Sequence, residues 1–329
     1  MSTHSRSYKI RVPATSANIG PGFDVVGLSL SLYLTLTVTV PDPPSASGGA
    51  DRPSISYTGE GADEVPLDAY KNLTTRVALY VLRCSGVQAF PPGLILHAHN
   101  EIPFGRGLGS SGAAVIAGVL LGDAIGRLGL SRERMLDFAL MVERHPDNVT
   151  AALVGGFVGS YLRELDPSAT QAASVPLSEV LPEYPPDAGP DWGRDPPQPP
   201  VGIGHYVRFG WAKEIRAVAI IPRFELSTAT AREVLPQSYA RKDVVRTHII
   251  DSEFKSLYTF TVPPQVFNMQ RLAVLTTALS RSPPDPDLIY EAMKDRVHQP
   301  YRRNLVGARS GLCGSRRLNT HPRLRVYRR

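Results

Sequence analysis

Residues 28–40 run LSLSLYLTLTVTV, with apolar and hydroxyl-bearing or aromatic residues in alternation. A period of two puts one set on each face of a strand, so this segment predicts a strand in a sheet with one wet face. Shorter strands are predicted over 7–13, near 55–57, over 93–100 and over 217–221 (AVAII), the last as a buried strand. Elsewhere the spacing is helical. Leu73, Val77, Val81 and Leu82 share one face of 72–85, and an apolar helix runs from Ser110 to about Leu128. A helix over 131–145 opens on a cap-like Ser131. Residues 149–162 continue it and turn at Gly155–Gly156 into a strand, and further helices fall at 226–235, 267–280 and 285–295. Residues 14–24 are dense in turn formers. Strands and helices mix without βαβ regularity, which predicts an α+β protein.

Composition narrows the classes. The chain has 329 residues, of which 42% are hydrophobic and 20% charged, enough for one large or two medium domains. No apolar run follows the polar start, and the longest apolar stretches fall well short of the roughly 20 residues that span a bilayer. Neither a secretory leader nor a membrane anchor is expected. Two cysteines, Cys84 and Cys313, are too few for a disulfide or zinc framework, which points to a reducing cytoplasm. The net charge is +6, but nine arginines and no Asp, Glu or Lys lie between Arg302 and Arg329. Without them the balance is negative, so no nucleic-acid partner is expected. Prolines crowd 183–200 and suggest a domain border. The expected organisation is a first domain over 1–183, a proline-rich loop over 184–200, a second domain over 201–303 and an arginine-rich tail over 304–329.

The chemistry concentrates in PFGRGLGSSGAA, residues 103–114. Gly105, Gly107 and Gly109 let the backbone approach a ligand closely, and Ser110 and Ser111 open the apolar helix. Free N–H groups and the dipole at a helix start suit phosphate, and serine hydroxyls suit phosphate or magnesium. No Gly-Lys-Ser/Thr follows, so this is not a Walker A loop. Elsewhere, Asn18 and Asp24 offer an amide and a carboxylate from a turn, and Thr228 and Arg232 sit at i,i+4 on one predicted helical face.

The order of residues in 103–114 resembles the phosphate loop of the GHMP small-molecule kinases. Residues 13–24, PATSANIGPGFD, and 143–148, ERHPDN, with Val154-Gly155-Gly156 beyond, resemble two signatures of the homoserine kinases within that family. The three stand in the family order, and the resemblance runs from about Ser7 to Tyr301. It implies a ribosomal-protein-S5-like first domain and a ferredoxin-like second domain. It implies phosphorylation of the L-homoserine hydroxyl by ATP, a step of threonine synthesis, and a homodimer. The nucleotide would lie on Pro103, Gly105, Gly107, Leu108, Gly109, Ser110, Ser111, Gly112 and Ala113. Magnesium would be held by Glu143 with a loop serine, Ser111 or Ser110. Asn18, Asp24, His145, Asn148, Arg232 and Arg302 would hold homoserine, and Asp24, Thr228 and Arg232 would serve the transfer itself.

Two segments depart from the family. Removing residues 245–265 restores its pattern without a gap, so that segment reads as a retained intron or a surface insertion. After Tyr301 the family's glycine loop and final strand–helix unit are absent, and 304–329 lack an apolar period. The rival readings are therefore an inactive or misassembled gene product or a protein that binds nucleotide without turning it over, and, further off, another GHMP kinase.

Overall fold

The computed structural model describes residues 4–42, 53–182, 193–221, 224–225, 228–236, 245–250, 257–262 and 264–309. The proline-rich stretch 183–192 and the tail from 310 lie outside them. The chain divides into two compact units: Met1–Ala17 with Asp24–Arg208, and Asn18–Phe23 with Phe209–Arg329.

The first unit is built on a six-stranded sheet. Its long strands are β1 (His4–Ala17) and β2 (Val26–Asp42), joined by β3 (Ser54–Gly59), β4 (Ile95–Asn100), β5 (Phe157–Leu162) and β6 (Gly204–Phe209). The order is β3-β4-β2-β5-β6, with β1 also paired to β2. β3 lies parallel to β4, whereas β1, β4 and β5 meet β2 antiparallel. The alternation in β2 holds as expected: Leu34, Leu36, Val38 and Val40 are buried and the residues between them face outward or lie half-buried. β1 runs further than its turn-rich sequence suggests. A register shift between Pro13 and Thr15 lets the strand carry on through Ala17.

Four helices position the chemistry of this unit: α1 (Leu73–Cys84), α2 (Ser110–Gly126), α3 (Arg132–Glu143) and α4 (Pro146–Val154). The Asn72 side chain caps α1, accepting from Thr74 N at 3.0 Å and Thr75 N at 3.4 Å. α2 is mostly apolar because most of it is buried; Ala113, Val115, Ile116, Ala117, Val119 and Leu121 have no measurable exposure, whereas Ser111 at its start is exposed. Gly118 and Gly122 bring it onto α1. A Cβ on Gly118 would stand 2.5 Å from Thr74 O, and one on Gly122 2.9 Å from Ala78 O. Asp137, buried on α3, accepts from Gly202 N at 3.0 Å and Ile203 N at 2.8 Å, tying the approach to β6 onto the helix. Two short helices, α5 (Pro167–Ala173) and α6 (Leu177–Val180), follow β5.

The second unit holds α7 (Thr228–Glu233), β7 (Val245–Ile250), β8 (Leu257–Val262), α8 (Pro264–Ser280), α9 (Pro286–Ala292) and α10 (Gln299–Arg309). Asp295 organises the start of α10, accepting from Val297 N, His298 N and Gln299 N at 3.2, 3.0 and 2.6 Å. The segment read as departing at 245–265 contains its own antiparallel pair, β7 with β8. Residues 304–309 continue α10, although their sequence has no apolar period. The buried strand expected over 217–221 is not formed; Val218 is 85% and Ile220 93% exposed. An apolar run makes a buried strand only when another strand completes the ladder, and among the described residues none pairs with this one.

Candidate active site

The glycine loop turns through left-handed backbone at Gly105, Gly107 and Gly109, with φ of 62°, 72° and 65°. Gly109 has a second reason to lack a side chain, since a Cβ there would lie 2.0 Å from Thr15 Oγ1 and 3.0 Å from Asn148 Oδ1. It is also the N-cap of α2, and no side chain caps that helix, unlike α1 and α3. The N–H groups of the first turn of α2 are thus left for a ligand or for water.

Beside this turn the end of α3 comes in. Glu143 is the last residue of α3, and Arg144 reverses the chain at φ 65° so that His145 becomes the N-cap of α4. The Ser111 hydroxyl donates to the Glu143 carboxylate. His145 Nε2 stands 3.7 Å from Glu143 Oε2, and its Nδ1 stands 3.5 Å from Asp147 Oδ1. Among the described residues there is no group of three or more His, Cys, Asp or Glu side chains arranged to hold a metal ion. A hard cation would find one carboxylate and one hydroxyl here, the pattern of an ion that draws its other ligands from water and phosphate.

Asn148, one turn into α4, accepts from Thr15 Oγ1 at 2.8 Å, and Thr15 N donates to Leu108 O at 3.0 Å. Glycine loop, opening motif and second signature therefore meet within the first unit. Asn18 and Asp24, with φ of 59° and 55°, stand at the two ends of the turn over 18–24. Both are residue types that tolerate left-handed backbone.

In the second unit, Arg232 and Arg302 share a neighbour. Their guanidinium carbons lie 5.5 and 4.7 Å from the centroid of the Phe23 ring, and Arg302 Nε donates to Ala231 O at 3.0 Å. Thr228 opens the helix that carries Arg232. His298 Nε2 is 2.8 Å from Gly20 O, and its ring is 5.3 Å from that of Phe23, which fixes the turn. The sequence reading passed over Thr15, Phe23 and His298. Thr15 and Phe23 sat inside the opening motif, whose glycines, amide and carboxylate drew the attention.

The family GHMP kinases N terminal domain matches residues 72–156, from the cap of α1 to the turn into β5. The homoserine kinase of Saccharomyces cerevisiae is 51% identical over 323 aligned residues, 97% of this chain and 84% of its own length. That match reaches past Tyr301. The homoserine kinase of Candida albicans is 47% identical, covering 91% of this chain and 78% of its own. The crystal structure of homoserine kinase from Cytophaga hutchinsonii superposes with a TM-score of 0.59 at 23% identity, over 91% of this chain and 75% of that one, which supports the fold. Fold and site define a GHMP-type kinase. The chain belongs to the homoserine kinase family.

Proposed function

We propose that this chain transfers the γ-phosphoryl group of ATP to the side-chain hydroxyl of L-homoserine. The observation that carries this reading is the meeting of Ser111 with Glu143 beside the uncapped start of α2. The homoserine oxygen forms a bond to the γ-phosphorus as the bond to the β,γ-bridging oxygen breaks. ADP leaves and the hydroxyl proton is released. Such a transfer asks a protein chiefly for positioning and for neutralisation of phosphate oxygens.

The first-turn N–H groups of α2, with Gly105, Gly107 and Gly109 allowing close approach, are assigned to the phosphates. Ser111 and Glu143 would hold Mg2+, which neutralises phosphate charge when bound; the contact with Glu143 favours Ser111 over Ser110. Asp24 and Asn18 are assigned to the hydroxyl and ammonium groups of homoserine, and His145 and Asn148 are assigned to the same substrate. Arg232 and Arg302 suit its planar carboxylate, and Arg232 with Thr228 is also assigned to the transferring group. No helix among the described residues is long and apolar enough to cross a membrane.

The test is ADP release by the purified protein with Mg2+ and ATP, with L-homoserine, with L-serine and with neither. Turnover that depends on homoserine is the expected result. An equal rate in all three arms, or none, would overturn the assignment.

A further inference from the structure

Thr15 is fully buried, yet it touches two other parts of the site. Its N–H reaches Leu108 O of the glycine loop at 3.0 Å, and its hydroxyl donates to Asn148 Oδ1 at 2.8 Å. The register shift after Pro13 aims it there, and Gly109 makes room for it, because any side chain at 109 would occupy the hydroxyl's place. An amide has an accepting and a donating end, and a hydroxyl has one proton to give. With Oδ1 taken by Thr15, the Asn148 NH2 group is turned the other way. It meets no acceptor among the described residues.

We infer that Thr15 is a positioning residue that fixes the Asn148 amide so that its NH2 group is presented to an oxygen acceptor of the substrate. This rests on the reading of homoserine as the phosphate acceptor, whose hydroxyl and carboxylate oxygens are such acceptors. Loss of the Thr15 proton frees the amide to rotate and to present its carbonyl to the same oxygens, where it repels them.

Two substitutions separate the hydroxyl from the bulk. Thr15→Val keeps the shape and the backbone N–H but removes the proton, whereas Thr15→Ser keeps the proton and removes the methyl. Thr15→Val is expected to raise KM for homoserine about tenfold or more and to leave KM for ATP within about twofold, with Thr15→Ser close to the parent. On an Asn148→Ala background Thr15→Val is expected to add less than about twofold, because the two act as one unit. Asn148→Asp keeps an acceptor for Thr15, removes the donors and adds a negative charge toward the same oxygens, so it is expected to raise KM for homoserine at least as far as Asn148→Ala.

A readout that needs no turnover is the side-chain amide resonance of Asn148 in 15N-labelled protein, identified by its loss in Asn148→Asp. Thr15→Val should displace it and Thr15→Ser should not. An unmoved resonance in Thr15→Val, or a parent-like homoserine KM in Asn148→Asp, overturns the inference. Absence of homoserine turnover in the parent chain would instead overturn the substrate reading, and the resonance would still decide the role of Thr15. Should Thr15→Val fail to fold, the Thr15→Ser resonance and Asn148→Asp decide it.

Discussion

Ser111 and Glu143 touch across 32 residues of sequence, the first at the start of one helix and the second at the end of another. Ser111 is exposed and Glu143 half-buried, so the pair is not sealed in the core of the first unit. A hydroxyl against a carboxylate is instead a ready pair of hard oxygen ligands. Glu143→Gln keeps the shape and removes the charge. It is expected to lower kcat/KM at fixed Mg2+ by about 100-fold or more, and Ser111→Ala by about tenfold, with Ser110→Ala costing less than either. Measuring turnover against Mg2+ concentration checks this. A Glu143→Gln enzyme with an unchanged Mg2+ dependence would refute the pairing.

The close approach of α2 to α1 carries a stability prediction. Gly118→Ala would place a methyl 2.5 Å from Thr74 O and 2.7 Å from Val77 Cβ, neither of which can withdraw freely. Overpacking of this kind costs about 1–3 kcal/mol even though alanine is the better helix former. Urea unfolding of the first unit should show the midpoint falling with no change in slope. A midpoint at or above the parent's would mean the helices can separate without loss.

Cys84 gives a prediction in pH. Burial pushes its thiol up to about 12, against smaller opposing effects from the Tyr80 hydroxyl and the Arg134 charge. A raised thiol stays protonated and unreactive as pH rises through the range where a free cysteine ionises, because the thiolate is the nucleophile. With Cys313 replaced by Ser, Cys84 in the folded protein should react with a disulfide reagent at pH 8 on the order of 100-fold more slowly than in urea. Its rate should keep climbing well above pH 9. A plateau near pH 9 would show that the thiol is not shielded.

Much of this was legible in the sequence because it is local. The alternation in 28–40 could only be a half-buried strand, and Ser131 caps its helix as its type suggests. The glycine loop was legible because Gly105, Gly107 and Gly109 stand directly before the two serines that open an apolar helix. What escaped depends on partners far along the chain. No local feature of 217–221 says whether a second strand will be there to pair with AVAII. Nothing in the neighbourhood of Arg302 says that it will share the Phe23 ring with Arg232. The role of Thr15 likewise appears only once Leu108 and Asn148 are beside it.

The departure at 245–265 is open to direct test. Val245 pairs with Val262 in the β7–β8 ladder, so the two ends of the hairpin stand about 5 Å apart. Removing the segment takes out this hairpin whole. The deletion also takes Pro264 and Gln265 from α8, but the first turn of a helix has no internal acceptors for its N–H groups, so little is lost. An isolated two-stranded hairpin adds little stability of its own. A chain lacking 245–265 should melt within about 4 °C of the parent, the equivalent of about 1 kcal/mol in a protein of this size, and should keep homoserine-dependent turnover. Loss of folding in the deleted chain would mean that the hairpin is an integral part of the second unit and that the relatives' pattern does not describe its core.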